Sequence, residues 1–296
     1  MLPALHDLSP RITALSEELA RVAYRAQEAE LLKLLDNGAL GVFVDKNGND
    51  ALMLAADRNL PALVARLMPV SDLSRRNNDG FGALHIAANM SSMECIRLLL
   101  RVDDPNRKNP QGHNALMAVL YGKNRFESGA RMIASVNLLV PLSDLDTRDN
   151  KGRTVLHLAA EAGRAEPLRR LLALKPALAA AQDHEGNTSL HAAASEDAVD
   201  CVRLLAPFND LRAKNNDGLT AADYAMAWGS WAGALALAPW LDVEARERLI
   251  ASARAKSLGE MVEELTALHE QTELQELLLP AGHTPSPSKK KAPKSL

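Results

Sequence analysis

Aromatic side chains are scarce. Phenylalanine, tryptophan and tyrosine together make 3% of the 296 residues, although hydrophobic residues make 47%. A core of that size has to be assembled from Ala, Leu and Val, and small side chains suit closely apposed helices better than a sandwich or barrel. Cysteine is limited to Cys95 and Cys201, which form no CxxC pair and so no metal-ligand spacing. So few thiols fit a reducing, cytoplasmic setting. No run approaches the ~18 apolar residues of a membrane span. The N-terminus, MLPALHDLSPR, has no basic start followed by a long apolar stretch, so a secretory signal is not expected. GxSxG, GxxxxGKS/T and HExxH are all missing. Acids are scattered rather than paired, so neither catalysis nor a cofactor is expected. A net charge of −3 argues against general affinity for nucleic acid.

What the chain does contain is a repeat. Six segments align on Gly48, Gly80, Gly112, Gly152, Gly186 and Gly218, at spacings of 32, 32, 40, 34 and 32. Three residues before each glycine stands Asp45, Asn77, Asn109, Asp149, Asp183 or Asn215. Four residues after it comes leucine in the first five units and Ala222 in the last. Alanine pairs follow at +7 and +8 in four units, as in Ala55-Ala56 and Ala159-Ala160. A second apolar group sits at +16, +19 and +20, for example Val64, Leu67 and Met68, or Ile96, Leu99 and Leu100. That spacing marks one face of a helix. Each unit therefore reads as a tight turn, a small-residue helix and a leucine-rich helix. Glycine accepts the positive φ of the turn, and the Asp or Asn before it can accept nearby backbone N–H bonds. One such hairpin cannot bury both of its faces, so neighbours must stack.

The pattern resembles the ankyrin family, whose consensus runs roughly D-x-x-G-x-T-P-L-H-x-A-A. DNKGRTVLHLAAEAG (149–163), DHEGNTSLHAAA (183–194) and NNDGFGALHIAA (77–88) carry the resemblance most clearly. It implies an all-α solenoid of stacked helix-turn-helix units with β-turn fingers. Met53 and Met117 stand where the family has histidine, and Asp223 stands there in the sixth unit. The expected organisation is an N-terminal helical cap over 1–44, six repeats over 45–240, capping helices over 241–279 and a disordered tail over 280–296. In the first of these, Ser9-Pro10 reads as a helix start and Leu31, Leu34 and Leu35 as an apolar face. The third unit is longer by eight residues (40 against 32), the excess falling around YGKNRFESGARM (121–132). That excess is either a functional protrusion or a tolerated loop. The tail holds Lys289, Lys290, Lys291 and Lys294 and no acid. It reads as a solubilising end, an import signal or a contact for an acidic partner or lipid.

His85, His157 and His191 share one position in three units. Stacked layers lie about 10 Å apart, too far for them to share an ion. The resemblance implies that each ring bonds to neighbouring turn backbone. The two cysteines, both at +15, are expected to be small buried hydrophobes outside any disulfide.

In the family, partner contacts come from the turn tips and the exposed end of the first helix. Carried onto this chain, these are the positions −2, −1, +1, +9 and +10 from each glycine. The candidate protein-binding residues are Asn49, Arg58, Asn78, Asp79, Phe81, Asn89, Met90, His113, Tyr121, Arg153, Glu161, Asn187 and Trp228. Phe81, Tyr121 and Trp228 stand out in so aromatic-poor a chain. Trp228 could instead pack the C-terminal helices onto the stack with Trp231 and Trp240. The implied function is a scaffold or adaptor that binds another protein, acting as a monomer. A dedicated inhibitor or immunity-type protein is the alternative, favoured by an Ala-, Leu- and Arg-rich composition that suggests a GC-rich bacterial source. A host-directed effector is a third reading.

Overall fold

A computed structural model describes residues 44–122 and 129–278, together with Pro10, Ala14, Glu18, Lys33, Leu34, Asp36 and Asn37. The chain divides into two compact units, residues 1–155 and 156–296. Most of the expected N-terminal cap lies outside the described residues, although Leu34 is helical and half-buried. The lysine tail lies wholly outside them.

In the first unit three hairpins are described. They are α1 (Ala51–Asp57) with α2 (Pro61–Leu67), α3 (Ala83–Asn89) with α4 (Met93–Leu99), and α5 (Ala115–Tyr121) with α6 (Gly129–Leu139). First helices pack on first helices, α1 on α3 and α3 on α5, while α2, α4 and α6 form a second layer. The second unit begins within α7 (Val155–Glu161), followed by α8 (Ala165–Leu174). It continues with α9 (Ser189–Ser195), α10 (Val199–Leu205), α11 (Ala221–Trp228) and α12 (Trp231–Leu237). The same two layers recur there, α9 on α11 and α8 on α10 on α12. Two longer helices close it: α13 (Val243–Ala255) packs on α11, and α14 (Gly259–Leu278) on α12.

Alanine makes the close layering possible. Ala55, Ala56, Ala87, Ala88, Ala159, Ala160, Ala193 and Ala194 are all completely buried, so the first helices approach with no larger side chain between them. The leucine face of the second helices, including Val64, Leu67, Ile96, Leu99, Leu168, Leu171, Val202 and Leu205, is buried as its spacing predicts. Part of the excess length in the third unit is helix: α6 has 11 residues against seven in α2 and α4. Residues 123–128 are outside the described set. Among the described residues, no helix is long and apolar enough to cross a membrane.

Seven-residue helices leave a large share of their backbone groups at an end, and several of the first helices start with a side-chain cap. Asp50 and Asn114 accept the N–H of Met53 and Met117 at 2.8 and 2.9 Å. Thr188 and His191 form the equivalent pair at the start of α9, with Thr188 Oγ1 and His191 Nδ1 3.0 Å apart. The two methionine-bearing units thus carry a side chain at the cap that reaches the N–H unaided.

Candidate functional site

Each finger is built by one polar side chain closing over its own turn. Asp45 Oδ1 accepts the N–H groups of Asn47 and Asn49, both at 2.8 Å. Asn77, Asn109, Asp149, Asp183 and Asn215 each repeat the arrangement at 2.8–3.1 Å. The glycine closing each turn has φ between +76° and +83°, a region that side-chain-bearing residues reach only with strain.

The fingers are then tied to each other in pairs. Asn78 donates its N–H to Asn47 O at 2.9 Å and its amide to Lys46 O at 3.1 Å. Asn150 does the same to Gln111 O and Pro110 O at 3.0 and 2.6 Å. Asn216 does the same to Glu185 O and His184 O, both at 2.9 Å. A second rung joins the same pairs from position +1. Asn77 donates to Asn49 Oδ1 and Asn215 to Asn187 Oδ1, each at 2.9 Å. The His113 ring lies 3.3 Å from Asp149 Oδ2. At position −2 of the third finger stands Pro110, which has no N–H to donate. There His85 makes the tie, its Nε2 donating to Arg107 O and His113 O at 2.9 and 3.2 Å. His157 and His191 likewise reach Asn187 O and Leu219 O at 3.0 and 3.2 Å, the backbone role the resemblance implied. Among the described residues, no group of three or more His, Cys, Asp or Glu could hold a metal ion. Cys95 and Cys201 are both buried and outside any disulfide, and burial pushes the Cys201 thiol up to about 11.

These ties reassign several candidate contact residues. His113 and Asn187, expected on the surface, are 3% and 6% exposed, because their polar atoms are spent between fingers. Asn49 and Asn78 also serve as ties, whereas Arg153 closes on its own finger, its Nε donating to Asp149 Oδ2 at 2.8 Å. Asp79 and Arg58 are exposed, and Phe81, Asn89, Met90 and Glu161 are half-buried. Phe81 meets the His85 ring edge-on at 6.4 Å.

Two aromatic clusters stand out, one in each unit. Tyr121 ends α5 half-exposed, its ring 5.1 Å from that of His113 and 5.8 Å from the Arg153 guanidinium. Asp149 lies beneath. Burial pushes its carboxyl up, but the His113 and Arg153 hydrogen bonds more than reverse that and hold it well below the usual range. In the second unit Trp228 ends α11 and is 68% exposed. Tyr224 stands behind it, 6.0 Å from Trp228 on one side and 6.0 Å from His191 on the other. The packing role suggested for all three tryptophans holds for Trp231, which is half-buried with the Lys256 ammonium 5.3 Å from its ring. It does not hold for Trp228.

Sequence reasoning missed Tyr224, whose four-residue spacing from Trp228 places both on one helix face. It also missed a row at +22. Val102, Leu174, Phe208 and Trp240 hold that position, and Leu142 holds it once the eight extra residues are allowed for. All five remain exposed at or just beyond the ends of their second helices.

A family model described as ankyrin repeats (3 copies) matches residues 19–109, 52–126, 127–213 and 168–247. The Neurogenic locus Notch protein of Drosophila melanogaster is 39% identical over 101 residues, 33% of this chain. The chain spans only 4% of that relative's length. The crystal structure of the ankyrin repeat domain of Bcl-3, described as a unique member of the IkappaB protein family, matches with a TM-score of 0.53. The match covers 74% of this chain and 94% of that one at 23% identity, a likeness of fold alone.

Proposed function

The chain belongs to the ankyrin-repeat family, and from that premise we propose that it binds another protein through the finger-side face of its first helices, reversibly and without covalent chemistry. The observation that carries this reading is the exposure of Tyr121 and Trp228, at 50% and 68%, at the ends of first helices in an aromatic-poor chain. Large aromatics left half or more in solvent are favoured binding anchors. Exposed Arg58, Asp79, Gln111 and Glu196 supply the polar rim. We read the role as that of an adaptor or scaffold in a reducing, cytoplasmic setting, which the buried thiols suit. A dedicated inhibitor would differ in holding one enzyme at equal stoichiometry.

The test is capture of partners by the full chain and by the Tyr121→Ala, Trp228→Ala variant at matched melting temperature. A partner that binds the parent and is lost from the variant supports the reading. A partner that the variant retains, but that Val102→Ser with Phe208→Ser releases, would move the binding face to the +22 row and overturn it.

A further inference from the structure

Cations already sit over two of the chain's aromatic rings. The Arg153 guanidinium lies 5.8 Å from the Tyr121 ring centre, and the Lys256 ammonium 5.3 Å from that of Trp231. Among the described residues, no cation of the chain lies over Trp228, the most exposed large hydrophobic of all. The reason is topological. Arg153 belongs to the finger that follows Tyr121, whereas Gly218 closes the sixth finger and α13 follows the last repeat in place of a seventh.

The rest of a cation site is in place. Tyr224 meets Trp228 edge-on, with 62° between the ring planes, so the Trp228 face is held at a set angle. Asn187 donates its amide N–H to Glu185 Oε2 at 3.2 Å, which orients that exposed carboxylate. Tyr224 feels the negative charge of Glu185 and, less strongly, of Asp183: burial first, then these carboxylates, raise its pKa above the ordinary phenol value. An aromatic face in the field of a carboxylate attracts a cation twice, through the ring quadrupole and through the charge.

We propose that the Trp228 face, backed by Tyr224 and in the field of the Glu185 carboxylate, receives an arginine or lysine side chain from a basic segment of the partner protein. The inference rests on the protein-binding reading above and names the chemistry of the partner in the second unit.

The test titrates the full chain with a short arginine-rich peptide, with the same peptide carrying citrulline in place of arginine, and with a glutamate-rich peptide. The readouts are fluorescence anisotropy and the indole N–H resonance of Trp228. The arginine peptide should bind and shift that resonance, and the other two should not. Trp228→Ala should weaken binding about fivefold, Trp228→Phe by less, and Glu185→Gln about threefold, with melting temperatures unchanged. Equal binding of the arginine and citrulline peptides, or indifference to Trp228→Ala, would overturn the proposal. So would a Trp228 resonance that moves when Lys289, Lys290, Lys291 and Lys294 are replaced by glutamine but not on adding peptide. The occupant would then be the chain's own tail. A captured partner indifferent to Trp228→Ala but lost on Tyr121→Ala would remove this inference and leave the protein-binding reading standing.

Discussion

Tyr121 and Trp228 occupy nearly the same place in their repeats, at +9 and +10, and are finished in opposite ways. Tyr121 is drawn into its own unit: His113 packs on it, Arg153 caps it and Asp149 anchors both. Trp228 has an aromatic behind it, and that aromatic feels the charge of Glu185, yet Trp228 remains in solvent. An aromatic on the finger side can therefore be tied into the stack while half of it stays open to a partner, as Tyr121 is, or stand without a cation of its own chain over it among the described residues, as Trp228 does. An inventory of variable positions does not make that distinction.

The comparison can be broken most easily at the carboxylates. Asp149 closes a turn and also holds His113 and Arg153, whereas Asp183 closes a turn with two backbone N–H bonds. Asp149→Ala should cost about 3 kcal/mol in chemical denaturation and Asp183→Ala about 1 kcal/mol. Equal losses would show that the Asp149 cluster is no more than another finger turn.

A smaller effect should be common to both units. Burial lowers the pKa of His85 and of His191 below 6.5, with their carbonyl acceptors working the other way. Both rings are thus neutral in the fold, while the unfolded chain protonates near the ordinary value. Their stabilisation is complete above pH 6.5 and is lost as the pH falls below it toward the depressed folded values. The melting temperature should decline through that window, and less steeply once His191 is replaced by glutamine. A flat profile until the carboxylates titrate would refute the neutral-ring assignment.

The smallest expected change is a gain. In the second unit His191 Nδ1 pairs with Thr188. In the first unit Gly82 stands at the corresponding place, and His85 Nδ1 is buried without a partner. Gly82 has φ −90°, open to any residue, and an added Cβ would meet only the far end of the Arg76 side chain. Gly82→Thr should therefore stabilise by about 1 kcal/mol, through the cap and a stiffer unfolded chain. A loss measured by denaturation would mean that Arg76 cannot move aside.

Much of the fold was legible because the repeat is a local code. The six glycines, the Asp or Asn three residues before each, the alanine pairs and the +16, +19, +20 face all act within one hairpin. The candidate site was less legible. His113 and Asn187 were expected at the surface because their positions vary between repeats, and they turned out to be rungs between fingers. One signal was available: position −2 reads Lys46, Asn78, Pro110, Asn150, His184, Asn216, with asparagine in every second finger. That alternation is the sequence trace of the paired ties.

By itself the sequence determined the unit, its period, its buried faces and its family, since each depends on residues a few positions apart. Only the tertiary structure decided which polar and aromatic side chains were consumed and which remained available. A rung such as Asn77 to Asn49 joins residues 28 apart. Its existence depends on where stacking sets the neighbouring finger, which no single repeat encodes.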